Sequence, residues 1–235
     1  TINDIKSKQG MNKQNKVDFA FRNAEMFECN KIVIRKTGDK LIAAYDNSNQ
    51  FYFDTLTHGI YAKTSNYDLQ FLLAILNSKL ATHLYRLLYD ITGKVFAKIS
   101  LDNLSNFYIP KCSQENQKIF AFKANLLEGK NNELNDASSK FLSLLKAEFN
   151  LEKLSNKLEH WYTLSFAEFM AELTKLKKVL SLKQKAEWME HFEKQKAIAT
   201  VIKTTIDNTD REIDQMVYAL YGLTPEEIAI VENTK

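Results

Sequence analysis

Glycine and proline are scarce in this chain, whose 235 residues include 6 Gly and 2 Pro. Few loops can depend on these residues, so we expect a fold in which helices predominate. The glycines lie too far apart to form the glycine-rich turn with which a Rossmann-type domain approaches its cofactor. They are Gly10, Gly38, Gly59, Gly93, Gly129 and Gly222.

The two prolines, Pro110 and Pro225, are far from each other. The chain therefore lacks the Asn/Asp-Pro-Pro-aromatic loop in which an adenine methyltransferase holds the flipped base. Because the cofactor turn is missing as well, the sequence contains neither half of a methyl-transfer site. We expect no catalytic residue in this chain.

Cysteine and histidine are too sparse to form a metal site. Cys29 and Cys112 have no partner at metal-ligand spacing, and the 4 His are isolated from one another. The motifs Gly-x-Ser-x-Gly, Cys-x-x-Cys and His-Glu-x-x-His are absent. The sequence therefore predicts no bound metal and no cofactor, and its cysteine usage favours the cytoplasm.

Long apolar runs are absent too. No stretch approaches ~18 consecutive apolar residues, and residues 1–16 lack the apolar core of a signal peptide. We expect no membrane partner. Since the sequence does not begin with Met, we also expect it to be a piece of a longer polypeptide.

The charge that is present is unevenly distributed. Residues 1–112 carry 15 Lys and Arg against 10 Asp and Glu, a net +5, whereas residues 113–235 carry 17 against 19, a net −2. A polyanion would therefore meet the first half of the chain. On charge alone, an ordinary protein surface explains the excess equally well.

Short β-rich runs in the first half predict a small, mainly antiparallel sheet. Residues 31–36 and 41–45 flank a turn at Gly38, which predicts a hairpin in which Gly38 adopts a positive φ. Phe51 and Phe53 alternate with polar residues, as in a half-buried strand. The further strands are predicted at 50–54, 59–62, 93–99 and 107–110.

Leucines at spacings of three and four predict one helix that begins at Asn66 or Asp68 and packs across the sheet. The leucine stripe consists of Leu69, Leu72, Leu73, Leu76, Leu80, Leu84 and Leu88. The predicted fold class of the first half is therefore α+β, a small antiparallel sheet with packed helices.

Beyond Ser113 the apolar pattern is almost entirely helical. Gly129 is expected to separate the first two of the helices, which are predicted near 119–126, 134–145, 166–180 and 182–206.

Two capping signals stand near the end of the chain. Thr209 to Glu212 form a capping box, and Thr224, Pro225 and Glu227 form a second one after a stop at Gly222. We therefore expect two short docked helices at the end. The predicted domains are residues 1–112, the α+β part, and residues 113–235, a helical scaffold.

Four segments of the first half resemble the TaqI-like C-terminal specificity domain of adenine DNA methyltransferases. They are KIVIRKTG at 31–38, IAAYD at 42–46, LLAILNSKL at 72–80, and GKVFAKI at 93–99 with the later Ile109-Pro110. The segment at 209–231 is similar to the C-terminal end of single-chain restriction-modification enzymes. The resemblance covers residue 31 to the end, and residues 1–30 match poorly.

The resemblance implies a division of labour. Such domains read base edges in the major groove, while a separate catalytic domain flips and methylates adenine. It implies that this chain performs no chemistry and has two partners: double-stranded DNA and an N-terminal methyltransferase domain of the same polypeptide, upstream of Thr1. The parent enzyme is then expected to use S-adenosylmethionine, and Mg²⁺ if it also cleaves DNA.

The resemblance also implies that loops of the first half contact DNA. Arg35 is predicted to read a base, because its planar fork can pair with guanine, and the Lys side chains are predicted to meet phosphates. The predicted contacts are Arg35, Lys36, Thr37, Asp39, Lys40, Asn47, Asn49, Lys63, Ser65, Asn66, Lys94 and Lys98.

Alternatives to this interpretation remain. Strand-end charges and turn amides are common in proteins that bind no nucleic acid. Asn77 lies inside the leucine-striped helix, so a capping or packing role is predicted for it. A second class of function is a helical protein-interaction module, or a specificity subunit, whose basic surface is incidental.

Overall fold

The computed structural model describes residues 25, 27–48, 51–53, 55–61, 66–89 and 97–233. In this part of the chain a three-stranded antiparallel sheet has the order β2-β1-β3. The strands are β1 (Lys31–Arg35), β2 (Ala43–Asp46) and β3 (Thr57–Ile60). The predicted hairpin is confirmed, since Ile34 of β1 lies opposite Ala43 of β2.

Two of the predicted strands are wrong. Residues 51–53 form no strand. The ring of Tyr52 stacks on Phe27 at 4.9 Å between centroids, and the ring of Phe53 meets Phe27 edge-on at 5.1 Å. Residues 107–110 are also unpaired in the described structure, where they follow a short helix, α3 (Leu101–Ser105). Of the segment predicted at 93–99, the described part forms one isolated bridge, from Lys98 to Thr37.

The single leucine-striped helix is in fact two helices, α1 (Leu69–Asn77) and α2 (Lys79–Tyr89). The predicted cap at Asp68 is confirmed, because its carboxylate accepts hydrogen bonds from the Gln70 and Phe71 amides. The break at Ser78 was not predicted. There the Ser78 hydroxyl donates to the Ile75 carbonyl at 2.7 Å, and the next amide, that of Lys79, donates to Asp214 at 2.9 Å.

The second half is helical, as predicted, but two of the predicted breaks, at Gly129 and before Thr209, are absent. Gly129 lies inside a continuous helix, because its cost of roughly 1 kcal/mol relative to alanine is small beside the packing of a long helix. Likewise Thr209 caps nothing; it is buried, and its hydroxyl donates to the Thr205 carbonyl at 2.8 Å. The elements are α4 (Gln114–Phe149), α5 (Asn156–Glu159), a 3-10 turn (Trp161–Thr163), α6 (Phe166–Lys175), α7 (Leu182–Tyr221) and α8 (Pro225–Asn233).

The end of the chain follows its local signals. Gly222 ends α7 with a φ of 70°. Thr224 and Glu227 then form the predicted capping box, in which the Thr224 amide donates to the Glu227 carboxylate at 2.8 Å and the Glu227 amide donates to the Thr224 hydroxyl at 3.3 Å. The last helix is therefore short, as expected. The other short helix predicted near the end is not a separate helix, because its residues form the last part of α7.

Two hydrophobic cores lie along α4 and α7. The first joins the sheet, α1 and α2 to the beginning of α4, the end of α7 and Val231 of α8. The second surrounds Phe141, whose ring stacks on Trp161 at 3.8 Å between centroids. Since both long helices contribute to both cores, they position the sheet on the helical scaffold. Among the described residues, we find no helix with the length and the apolar character of a membrane-spanning segment.

Candidate nucleic-acid interface

The hairpin turn is joined to a second backbone segment at one end of the sheet. The Ile99 amide donates to the Lys36 carbonyl at 2.7 Å, and the Gly38 amide donates to the Ala97 carbonyl at 2.9 Å. This pairing places Lys98 beside Thr37, and both side chains are exposed. Six predicted DNA contacts thus lie at this end. Asp39 is described below, and we call the other five the turn surface: Arg35, Lys36, Thr37, Lys40 and Lys98.

Gly38 gives the turn its shape and makes room for Arg35. The predicted positive φ is confirmed at 129°, in a region that side chains disfavour. A Cβ on Gly38 would lie 2.9 Å from Cζ of Arg35, because the guanidinium lies across this glycine. Arg35 is an exposed residue, and its guanidinium lies against the turn at Gly38.

Asp39, another predicted contact, is engaged by a residue that the sequence analysis missed. Nη2 of Arg86 lies 2.7 Å from Oδ2 of Asp39, and Nε of Arg86 donates to the Asp39 carbonyl at 2.7 Å. Arg86 is 6% exposed, whereas the Asp39 side chain is 52% exposed. The sequence carries no signal for this pair, because the burial of Arg86 depends on how α2 packs in the fold.

Two other predicted contacts lie elsewhere. Asn47 follows Asp46, which pairs with Lys31 at the end of the sheet opposite Arg35. Asn66 precedes α1, and the other end of α1 contacts Ala43 through Asn77. Because α1 is about 13 Å long, Asn66 lies about that far from Ala43 along the helix axis. Asn47 therefore lies at the opposite end of the sheet from the turn surface, and Asn66 lies at the far end of α1. The remaining predicted contacts, Asn49, Lys63, Ser65 and Lys94, lie outside the described residues.

Lys31, the first residue of the segment KIVIRKTG at 31–38, is fully buried. Its ammonium donates to the Phe27 carbonyl at 2.6 Å, to the Cys29 carbonyl at 3.3 Å and to the Asp46 carboxylate. Burial alone would raise the pKa of Asp46, but hydrogen bonds from Lys31 and Ser48 lower it. Lys31 is therefore a structural anchor of the sheet.

Asn77 packs against the edge strand β2, as predicted. Its side-chain oxygen accepts from the Ala43 amide at 2.8 Å, and its side-chain nitrogen donates to the Ala43 carbonyl at 2.9 Å. The amide thus occupies backbone groups that a neighbouring strand would otherwise pair with.

A cavity of about 840 Å³ separates the edge strand from the helical scaffold. Its scaffold side carries the carboxylates of Glu128, Asp210, Asp214 and Glu232. Burial, followed by repulsion from neighbouring carboxylates, raises the pKa of Asp210, and burial raises that of Asp214. Because this wall would repel phosphates, the turn surface is the better site for a polyanion. No group of three His, Cys, Asp or Glu side chains in the described chain could hold a metal ion.

The fold and the turn surface define a class, a small α+β domain that presents a basic turn and is carried on a helical scaffold. Residues 3–110 match the family model of the TaqI-like C-terminal specificity domain, and residues 113–217 match a domain of unknown function (DUF8810). The first half of the chain is therefore similar to a TaqI-like C-terminal specificity domain, and this similarity suggests a role in the DNA sequence specificity of restriction-modification enzymes.

The family match begins earlier than expected. It includes residues 3–30, for which a poor match was predicted, and it ends at residue 110. Neither the curated proteins nor the solved structures gave a match to this chain.

Proposed function

We propose that this chain binds duplex DNA through the turn surface and supplies the sequence specificity of a restriction-modification enzyme. One observation carries the proposal: the specificity domain presents exposed Arg35, Lys40 and Lys98 around a turn whose backbone is fixed by its pairing with residues 97–99. Cations on a rigid support suit a duplex, because base readout requires side chains held in a defined geometry.

The residues of the turn surface have different tasks in this proposal. Arg35 reads a base edge, since a guanidinium can donate two parallel hydrogen bonds to guanine. Lys36, Lys40 and Lys98 meet phosphates, for which a point charge suffices. Lys36 is half-buried, so its contact is expected to be the weakest of the three.

The chemistry is supplied by another part of the enzyme. We propose that an N-terminal adenine methyltransferase domain of the same polypeptide binds S-adenosylmethionine and transfers the methyl group, with Mg²⁺ involved if the enzyme also cleaves DNA. The proposal is supported by the family of the first half, and by a sequence with neither a glycine-rich turn nor an Asn/Asp-Pro-Pro-aromatic loop.

The test is a selection from a pool of random duplexes with the full chain, followed by titrations of the selected duplex and a scrambled one at several salt concentrations. We expect one enriched sequence and a slope of log affinity against log salt of roughly −3, for the three lysines at phosphates. Absence of enrichment would overturn the proposal.

Lys98→Gln has a matched control in Lys183→Gln, which removes the same charge at an exposed position of α7 beside the second core. The Lys98 variant should weaken binding to both duplexes and flatten the slope by about one unit. The Lys183 variant should bind like the parent chain. Equal effects of the two substitutions would mean that binding depends only on overall charge.

A further inference from the structure

Helix α2 holds both backbone segments of the turn surface. The Thr82 hydroxyl accepts a hydrogen bond from the Leu41 amide at 3.3 Å, and Arg86, one turn later, binds Asp39. The Tyr85 hydroxyl accepts from the Ser100 amide at 3.1 Å, directly after the segment that pairs with the turn. One helix, anchored in the first core, therefore fixes the hairpin turn and its partner segment together.

The contact between Arg86 and Asp39 determines both the position and the orientation of the turn. Two donors of one planar guanidinium bind the carbonyl and the carboxylate of the same residue, each at 2.7 Å. Lysine offers only a point charge and could not reproduce this fork. Since burying a guanidinium has a large desolvation cost, the pair is poor evidence for a stabilising role and better evidence for a defined geometry.

We propose that Arg86 is a positioning residue for sequence readout, which acts through Asp39 to fix the turn that carries Arg35 and Lys40 and does not itself contact DNA. This inference rests on the proposed function. Arg86 is 6% exposed and lies beneath the turn, so its charge is not presented to a ligand. Base contacts tolerate displacements of only about 0.5 Å, whereas phosphate contacts with mobile lysines tolerate more. Loss of Arg86 should therefore lower the affinity for the selected duplex more than the affinity for a scrambled one.

The experiment measures the affinities of the full-length Arg86→Gln variant for the selected and the scrambled duplex. We expect roughly a tenfold loss on the selected duplex, less than about a twofold change on the scrambled one, and an unchanged salt slope. The matched control is Arg211→Gln, since Arg211 also donates from Nε to a carbonyl (Asp207, 3.2 Å) and from Nη2 to a side-chain oxygen (Asn208, 2.6 Å). This control should leave both affinities unchanged.

A double-mutant cycle with Asp39→Asn tests the route of the effect. Asp39 is half exposed, so this variant should fold even if Arg86→Gln does not, and it should show a smaller loss of selectivity because Nε can still bind the carbonyl. In the Asp39→Asn background, Arg86→Gln should add less than it does alone.

Three outcomes would overturn the inference. The pair would be purely structural if Asp39→Asn kept the selectivity of the parent chain and if Arg86→Gln, where it folds, either kept that selectivity or lost the same affinity on both duplexes. A salt slope flattened by about one unit would make Arg86 a phosphate contact. A parent chain without selectivity would overturn the proposed function, and this inference with it.

Discussion

The guanidinium of Arg35 lies across Gly38, at a position where a Cβ on the glycine would come within 2.9 Å of Cζ. The hairpin pattern predicted the positive φ of Gly38, and the structure adds a second reason for glycine at this position. The residue that shapes the turn also leaves space for the side chain that we propose as the base reader. A substitution at Gly38 should thus change both the shape of the turn and the position of Arg35.

Gly38→Ala should therefore affect both stability and recognition. Alanine at a φ of 129° is strained, so the free energy of unfolding should fall by about 1–2 kcal/mol. Its methyl group should also displace Arg35 and lower the affinity for the selected duplex. Urea unfolding and duplex titration measure the two effects. A variant as stable and as selective as the parent chain would contradict this account of the turn.

Gly129→Ala is the matched substitution, with the opposite expected result. Gly129 lies within α4, and a Cβ there would meet none of the described atoms within 4 Å. Alanine should raise the free energy of unfolding by about 0.5–1 kcal/mol, because it restricts the unfolded chain and favours the helix. Duplex binding should not change. Destabilisation in urea would show that α4 needs the flexibility of glycine at this position.

Asp214 should make stability depend on pH. Its folded-state pKa is raised by burial, so its contribution to stability is largest at low pH and is lost as pH rises from about 3.9 through the folded pKa. Asp214→Asn removes the buried charge but keeps an oxygen that can accept from the Lys79 amide. The stability of the variant minus that of the parent should therefore increase with pH across this window and then level off.

Urea unfolding of both proteins at several pH values measures this difference. The opposing contribution of Glu232, whose pKa is lowered chiefly by its hydrogen bond from Lys79, is present in both proteins and largely cancels. A difference that does not vary with pH would show that Asp214 titrates normally.

The sequence predicted features that depend on neighbouring residues. The hairpin at Gly38, the cap at Asp68 and the capping box at Thr224 all follow from short-range sterics or hydrogen bonds. The prediction failed where contacts distant in sequence decide. The break at Ser78 is accompanied by a hydrogen bond from Lys79 to Asp214, and Thr209 lies inside α7 despite its capping pattern.

The site was predictable to the same extent. Residues 35–40 are close in sequence, so grouping them required only the hairpin, and Lys98 was included through the family resemblance. Arg86 could not be assigned, because its contact with Asp39 depends on how α2 packs beneath the turn. Asn47 was predicted as a contact from a separate turn, and its distance from residues 35–40 follows from the antiparallel register, in which Asp46 lies opposite Lys31.

The central claim is that Arg35 reads a base from the turn surface. It is tested most directly by titrating Arg35→Ala, with Arg211→Ala as the control of equal charge, against the selected and the scrambled duplex at several salt concentrations. The account predicts that Arg35→Ala loses about 1–3 kcal/mol of binding free energy on the selected duplex alone. Equal losses on both duplexes would make Arg35 a phosphate contact, and unchanged affinities would show that DNA does not meet the turn surface.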